Sequence, residues 1–169
     1  MKKIINIVLI SLICLSLSGC ARTYHGTDEL MAKARKEIPI SDADTVDMQY
    51  AGMCRKDDKA IAWFISGNEY QAHYYLPMEI EIKENGADYS FVRVYKPMDD
   101  RAEDVAILNW NRGYAFLINN PQVAKVQITL DNREMIEETI KEGTIPHTFY
   151  VSAILSEYVF LDSEGNEIR

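Results

Sequence analysis

Two runs of the chain, AIAWFI (Ala60 to Ile65) and YAFLI (Tyr114 to Ile118), are apolar at every position. A strand turns successive side chains to opposite faces, so a strand made from either run must be covered on both. Both runs are therefore expected as central strands.

Around them the apolar residues recur with a period of two. Met78 to Lys83 (MEIEIK) alternates cleanly, Asn85-Gly86 is a strong turn signal, and Tyr89 to Lys96 returns as a second strand. Asn120-Pro121 turns the chain into Val123 to Leu130, where Val126, Ile128 and Leu130 alternate with Lys125, Gln127 and Thr129. Phe149 to Ile154 and Tyr158 to Leu161 follow, and Glu164-Gly165-Asn166 makes a last hairpin toward Ile168. Glu134 to Lys141 fits a helix turn through Met135, Ile136 and Ile140, or a strand. Short strands at a spacing of roughly ten residues predict a mostly β, antiparallel fold, either a sandwich or an open barrel-like sheet. One N-terminal amphipathic helix is expected from Asp28 to about Glu37, with Thr27 as N-cap. Leu30, Met31, Ala34 and Ile38 form its apolar stripe and Pro39 stops it. Its basic residues Lys33, Arg35 and Lys36 either reach lipid headgroups or form a solvated face.

The start of the chain has a different character. Lys2 and Lys3 precede an apolar run from Ile4 to Leu17, broken only by Asn6, Ser11 and Ser16. As a helix that run is ~21 Å long, short of the ~30 Å hydrocarbon core, which suits a cleaved export signal better than a permanent span. Leu17-Ser18-Gly19-Cys20 then resembles the lipobox of bacterial lipoproteins at every position. The resemblance implies cleavage before Cys20, a diacylglycerol on its thiol, and anchoring on the extracytoplasmic face of the cell membrane. Two or three acyl chains suffice for stable anchoring, at ~0.8 kcal/mol per buried methylene. The implied organisation is a signal peptide over 1–19, a lipidated cysteine and short tether over 20–27, and one extracytoplasmic β-rich domain over 28–169. Cys14 leaves with the signal, so Cys54 is left without a disulfide partner in the mature chain. It is either a reactive nucleophile or a small buried hydrophobe. The 18 Lys and Arg, less Lys2 and Lys3, leave 16 against 26 acidic residues, a balance of −10. Such a charge argues against nucleic acid as a partner and against broad adhesion to anionic lipid.

The stretch GYAFLINNPQVAKVQITLDN, continued by FYV, resembles a module of small uncharacterised lipoproteins of Gram-positive bacteria. That resemblance implies the same location and a β fold.

Reaction motifs fail to assemble. There is no G-x-S-x-G, H-E-x-x-H, C-x-x-C or phosphate-cradling glycine loop. SDADTVD begins like a calcium loop at Asp42 and Asp44, but Val46 stands at the third ligand position and the glycine is missing. A zinc site would need His73 and His147 to meet a carboxylate such as Glu69, and nothing in their spacing brings them together. Neither a metal nor a cofactor is expected. The richest neighbourhood is YKPMDDRAEDVAILNWNRGY, where Asp99, Asp100, Glu103 and Asp104 precede Trp110 and Arg112. Clustered carboxylates beside an aromatic ring suit a hard cation, sugar hydroxyls or basic side chains. The alternative is a solvated acidic loop with Trp110 in the core. A weaker cluster is Tyr70, His73, Tyr74 and Tyr75, which also fits cross-strand packing. Two function classes follow. One is a membrane-tethered, non-catalytic binding module for an envelope protein, a peptide or a glycan. The other is a small hydrolase with paired carboxylates, ~5 to 9.5 Å apart if the chemistry were glycosidic.

Overall fold

A computed structural model describes residues 22–39, 42–67, 74–99 and 104–168. The expected signal peptide over 1–19, Cys20, Glu69, Tyr70, His73, Asp100 and Glu103 lie outside the described residues. The chain enters as strand β1 (Thr23–His25), followed by helix α1 (Gly26–Arg35) and a 3-10 turn (Ala43–Thr45). Then come β2 (Met48–Lys56), β3 (Lys59–Ser66), β4 (Tyr74–Ile82), β5 (Asp88–Val94) and β6 (Met98–Asp99). The remainder is β7 (Val105–Trp110), β8 (Gly113–Ile118), β9 (Lys125–Leu130), β10 (Met135–Thr139), β11 (His147–Val151) and β12 (Leu155–Leu161).

Every pairing is antiparallel. The first sheet runs β1-β5-β4-β3-β2, with β6 on β4; the second is β11-β8-β7 and the third β10-β9-β12. The fold is mostly β with packed sheets, and no barrel closes among the described residues. The ambiguous stretch resolves as strand β10, whose Met135, Glu137 and Thr139 are exposed while Ile136 is half-buried. Its backbone groups find partners in β9, which a lone helix turn could not supply.

The expected central strands are central. In β3, Ala60, Ala62 and Phe64 join Leu76, Met78 and Ile80 in a core closed by Leu30 and Ala34 from α1 and by Ile38 just after it. The alternate residues Ile61, Trp63 and Ile65 pack with Leu108, Ala115 and Leu117 of the second sheet. β8 repeats the arrangement: Ala115 and Leu117 face the first sheet, and Phe116 and Ile118 face Val126, Ile128 and Phe160 of the third. Four layers result: helix, sheet, sheet, sheet. Each fully buried large side chain contributes about 1.5–3 kcal/mol.

Local turn chemistry agrees with this plan. Asn85 Oδ1 accepts the N–H groups of Ala87 (3.1 Å) and Asp88 (3.0 Å), closing the β4–β5 hairpin. Asn111 and Arg112 both take positive φ, 49° and 60°, as the two-residue β7–β8 turn requires.

The helix differs from expectation at its start. It begins at Gly26, and the capping position is His25 with no side-chain cap, so Thr27 is not the N-cap. The cause is tertiary. Thr23–His25, expected in the tether, instead pairs with Asp88–Ser90 of β5, so the chain turns straight from strand into helix. Gly26 makes that turn at φ 74°, donating its N–H to Ala87 O at 3.0 Å. The helix ends at Arg35, but Glu37 and Ile38 still bond three residues back, which carries Ile38 into the core before Pro39.

Candidate functional site

Among the described residues of the 99–112 stretch, Asp104 lies apart from Trp110 and Arg112. Asp99 ends β6 and Asp104 stands just before β7, whereas Trp110 closes β7 and Arg112 lies in the turn beyond. A six-residue strand spans ~20 Å, so Asp104 and the Trp110–Arg112 end are held apart by the strand between them. The register fixes this separation: Val105 faces Ile118, while Trp110 faces Gly113. Asp104 accepts a hydrogen bond from the Tyr75 hydroxyl at 3.0 Å. Trp110 is no exposed platform. It is 3% exposed and meets Tyr150 edge-on at 5.3 Å. Arg112 is exposed on the hairpin tip. In the tyrosine cluster, Tyr75 is fully buried opposite Ile65, as cross-strand packing requires.

His147, His25 and Cys54 have structural partners. His147 Nε2 lies 2.8 Å from Glu138 Oε1, across the seam between β11 and β10. His25 Nδ1 lies 2.9 Å from Asp88 Oδ1. Among the described residues, no three His, Cys, Asp or Glu side chains are grouped to hold a metal ion. The Cys54 thiol donates to Phe149 O at 3.1 Å. Burial pushes its pKa up to about 12, and at that value it holds its proton and is a poor nucleophile.

One arrangement was concealed by the sequence. In MEIEIK the glutamates alternate with apolar residues. Yet among the described residues Glu79 is the one charged side chain that is buried, at 4% exposure. It faces the second sheet, and its Oε2 accepts from Arg93 Nε at 2.7 Å and from the Tyr95 hydroxyl at 2.9 Å. The Trp110 side chain adds a third bond. Burial works against the carboxylate charge, but Arg93, Tyr95 and Trp110 outweigh it and hold Glu79 below the usual glutamate range. The Tyr95 hydroxyl is pushed up to about 12 by its own burial and by the carboxylate. A carboxylate ionised and bound in this way has no proton to give. Its work is to pin the end of β7 to the first sheet.

A cleft lies elsewhere, at one end of the third sheet. Antiparallel order brings the start of β9, the end of β10 and the end of β12 to that end together. The loops there enclose a cleft of about 850 Å³. Val123, Ile140, Ile145 and Ile168 supply its apolar surface, with Gln122, Lys141, Glu142 and Asp162 among the polar side chains around them. Its walls are tied down. Ile140 N–H donates to Ala124 O (2.9 Å) and Ala124 N–H donates to Leu161 O (2.8 Å). Asn120 Oδ1 accepts from Gln122 N–H at 2.9 Å. Asp162 Oδ1 accepts from the N–H groups of Glu164 (2.9 Å) and Asn166 (2.8 Å). The bonds from Asn166 hold the Asp162 carboxyl below its usual range. A cleft with an apolar lining, polar groups beside it and bonded walls suits a ligand with an apolar body and flanking polar groups. Its loops, 119–122, 141–146 and 162–166, each carry turn residues, but no local signal says that they converge.

No family model matches the chain, and neither the curated proteins nor the solved structures give a match to it.

Proposed function

We propose that this protein is a lipoprotein held on the extracytoplasmic face of the cell membrane through Cys20, and that its β domain is a non-catalytic binding module. Its ligand is an extended segment of an envelope protein or peptide, seated in the cleft at the end of the third sheet. The anchor rests on the lipobox Leu17-Ser18-Gly19-Cys20. The binding reading is carried by the cleft, where Ile140, Ile145 and Ile168 offer an apolar seat between bonded loops. Sugar sites commonly stack rings on an aromatic side chain, whereas this lining is aliphatic, which favours a peptide over a glycan.

Both halves are testable on the intact chain in cells. A fatty-acid probe should label the wild type and leave Cys20→Ser unlabelled and uncleaved, while Cys14→Ser changes neither result. A photo-crosslinking residue at Gln122 should capture a discrete envelope protein or peptide. The same probe at Asn132, on the opposite end of the third sheet, should not. Identical products from the two positions would dispose of the cleft as the binding site.

A further inference from the structure

We infer that the domain sits on the bilayer in one orientation, with the Phe91–Arg93 edge of β5 and the flanking basic side chains Arg22 and Lys33 against anionic headgroups. This rests on the Cys20 anchor proposed above. Three observations carry it.

The first is reach. Thr23 is already paired, opposite Ser90, so only Ala21 and Arg22 separate Cys20 from the folded body. Three Cα steps span at most ~11 Å, about half the ~20 Å that a tether ending at Gly26 would allow. The second is direction. β1 runs antiparallel to β5 and covers only Asp88–Ser90, so the chain enters from the side of Phe91 and Val92. That edge is bulged: Glu79 pairs with Arg93 and Ile80 with Phe91, which leaves Val92 turned out and 39% exposed.

The third is charge. At the entry end, the Arg22 guanidinium lies 5.2 Å from the Tyr24 ring centre and Lys33 Nζ lies 4.9 Å from that of Phe91. Lys33 also pairs with Glu37. Arg93, 60% exposed on the other face of β5, lies 4.6 Å from the Tyr95 ring centre. Acids gather at the opposite end of β1: His25 is bonded to Asp88, its backbone N–H to Glu29, and Asp28 is in the same helical turn. A mature chain with a balance of −10 is repelled by an anionic bilayer on most of its surface. Of these cations Lys33 and Arg93 each offset a carboxylate, Glu37 and Glu79, and Arg22 adds a further positive charge, so repulsion is weakest at this end, which is also where the anchor leaves. An exposed aliphatic side chain between cations suits the headgroup boundary.

The test uses the full acylated chain in vesicles of phosphatidylglycerol and phosphatidylcholine, with a fluorophore on Val92→Cys, Asn132→Cys or Glu164→Cys. The last two lie at opposite ends of the third sheet. Cys54 is buried, so the introduced thiol takes the label. A headgroup quencher should dim the Val92 probe several-fold more than either of the others. The double variant Arg22→Glu, Lys33→Gln should bring the ratios toward one at unchanged acylation. Two basic side chains near such a surface correspond to a roughly thirtyfold bias between orientations, at about 1 kcal/mol each. Equal quenching of the three probes in acylated, vesicle-bound protein would overturn the orientation and leave the anchor standing. A ratio untouched by the double variant would overturn the part assigned to Arg22 and Lys33, because the tether alone would then set the orientation. Failure of fatty-acid labelling would overturn the anchor itself, and the orientation with it.

Discussion

β3 and β9 are both middle strands of their sheets, and their surroundings differ. All seven residues of β3 after Lys59 are buried, because helix and first-sheet side chains cover one face and the second sheet covers the other. In β9 only Val126, Ile128 and Leu130 are buried, facing the second sheet, while Lys125, Gln127 and Thr129 are half-buried on the outer face. Among the described residues, the inner layers are filled by buried side chains, and the buried Glu79 is bonded to Arg93 and Tyr95. The terminal layer keeps loops that can enclose a cleft. Core and candidate site are thus divided between the two ends of the stack.

The largest effect expected from that division is on stability. Trp63→Ala or Phe64→Ala in β3 should cost about 3–5 kcal/mol, since each side chain is fully enclosed and leaves a cavity. Thr129→Ala or Gln127→Ala on the outer side of β9 should stay within about 0.5 kcal/mol in the same denaturant titration. Comparable losses in the two strands would remove the distinction.

A buried and an exposed carboxylate sharpen it next. Glu79→Gln should cost about 1–3 kcal/mol, because its bonds to Arg93 and Tyr95 are made in a dry interface. Glu137→Gln on exposed β10 should leave the midpoint unchanged. The folded-state pKa of Glu79 lies below its ordinary value of 4.5, so its stabilisation is present above that value and lost as pH falls below it. Wild type should therefore lose more stability than Glu79→Gln in the acid range. Parallel pH profiles would show that Glu79 is not held ionised.

Arg112→Gly should stabilise the protein by about 0.5–1 kcal/mol, because Arg112 holds a φ of 60° where glycine carries no steric penalty. Capture of the ligand should be unaffected. A loss of capture would return Arg112 to the binding site. Little change in stability is expected from Gln122→Trp, which places an indole at the mouth of the cleft from an exposed position. Its unfolding free energy should move by no more than about 0.5 kcal/mol, while product cross-linked through a probe at Lys141, also on the cleft, falls several-fold. Unchanged capture would leave the cleft without a role.

Much of the fold was legible in local pattern. AIAWFI and YAFLI marked β3 and β8 because a strand covered on both faces can carry no polar alternate. Asn85-Gly86 marked the β4–β5 hairpin because its turn needs a side-chain acceptor and a left-handed residue. The site was far less legible. Asp104 and Trp110 are near in sequence, but six extended residues carry them to opposite ends of β7. Gln122, Ile145 and Ile168 are far apart in sequence and meet in the cleft.

By itself, the sequence determined the β character, the positions of most turns and the two-sided cores of β3 and β8, along with the lipobox on which the proposed address depends. These follow from covalent geometry acting over a few residues: side-chain alternation, turn conformation and the length of an apolar run. Only the tertiary structure decided that Thr23–His25 is a strand, that Glu79 of an alternating stretch is buried, and that three loops close one cleft. Each depends on what lies opposite a residue in another strand or layer. Glu79 shows the reason most directly. The same alternation places a glutamate on a sheet face, and whether that face meets water or Arg93, Tyr95 and Trp110 is settled by residues 14 to 31 positions away.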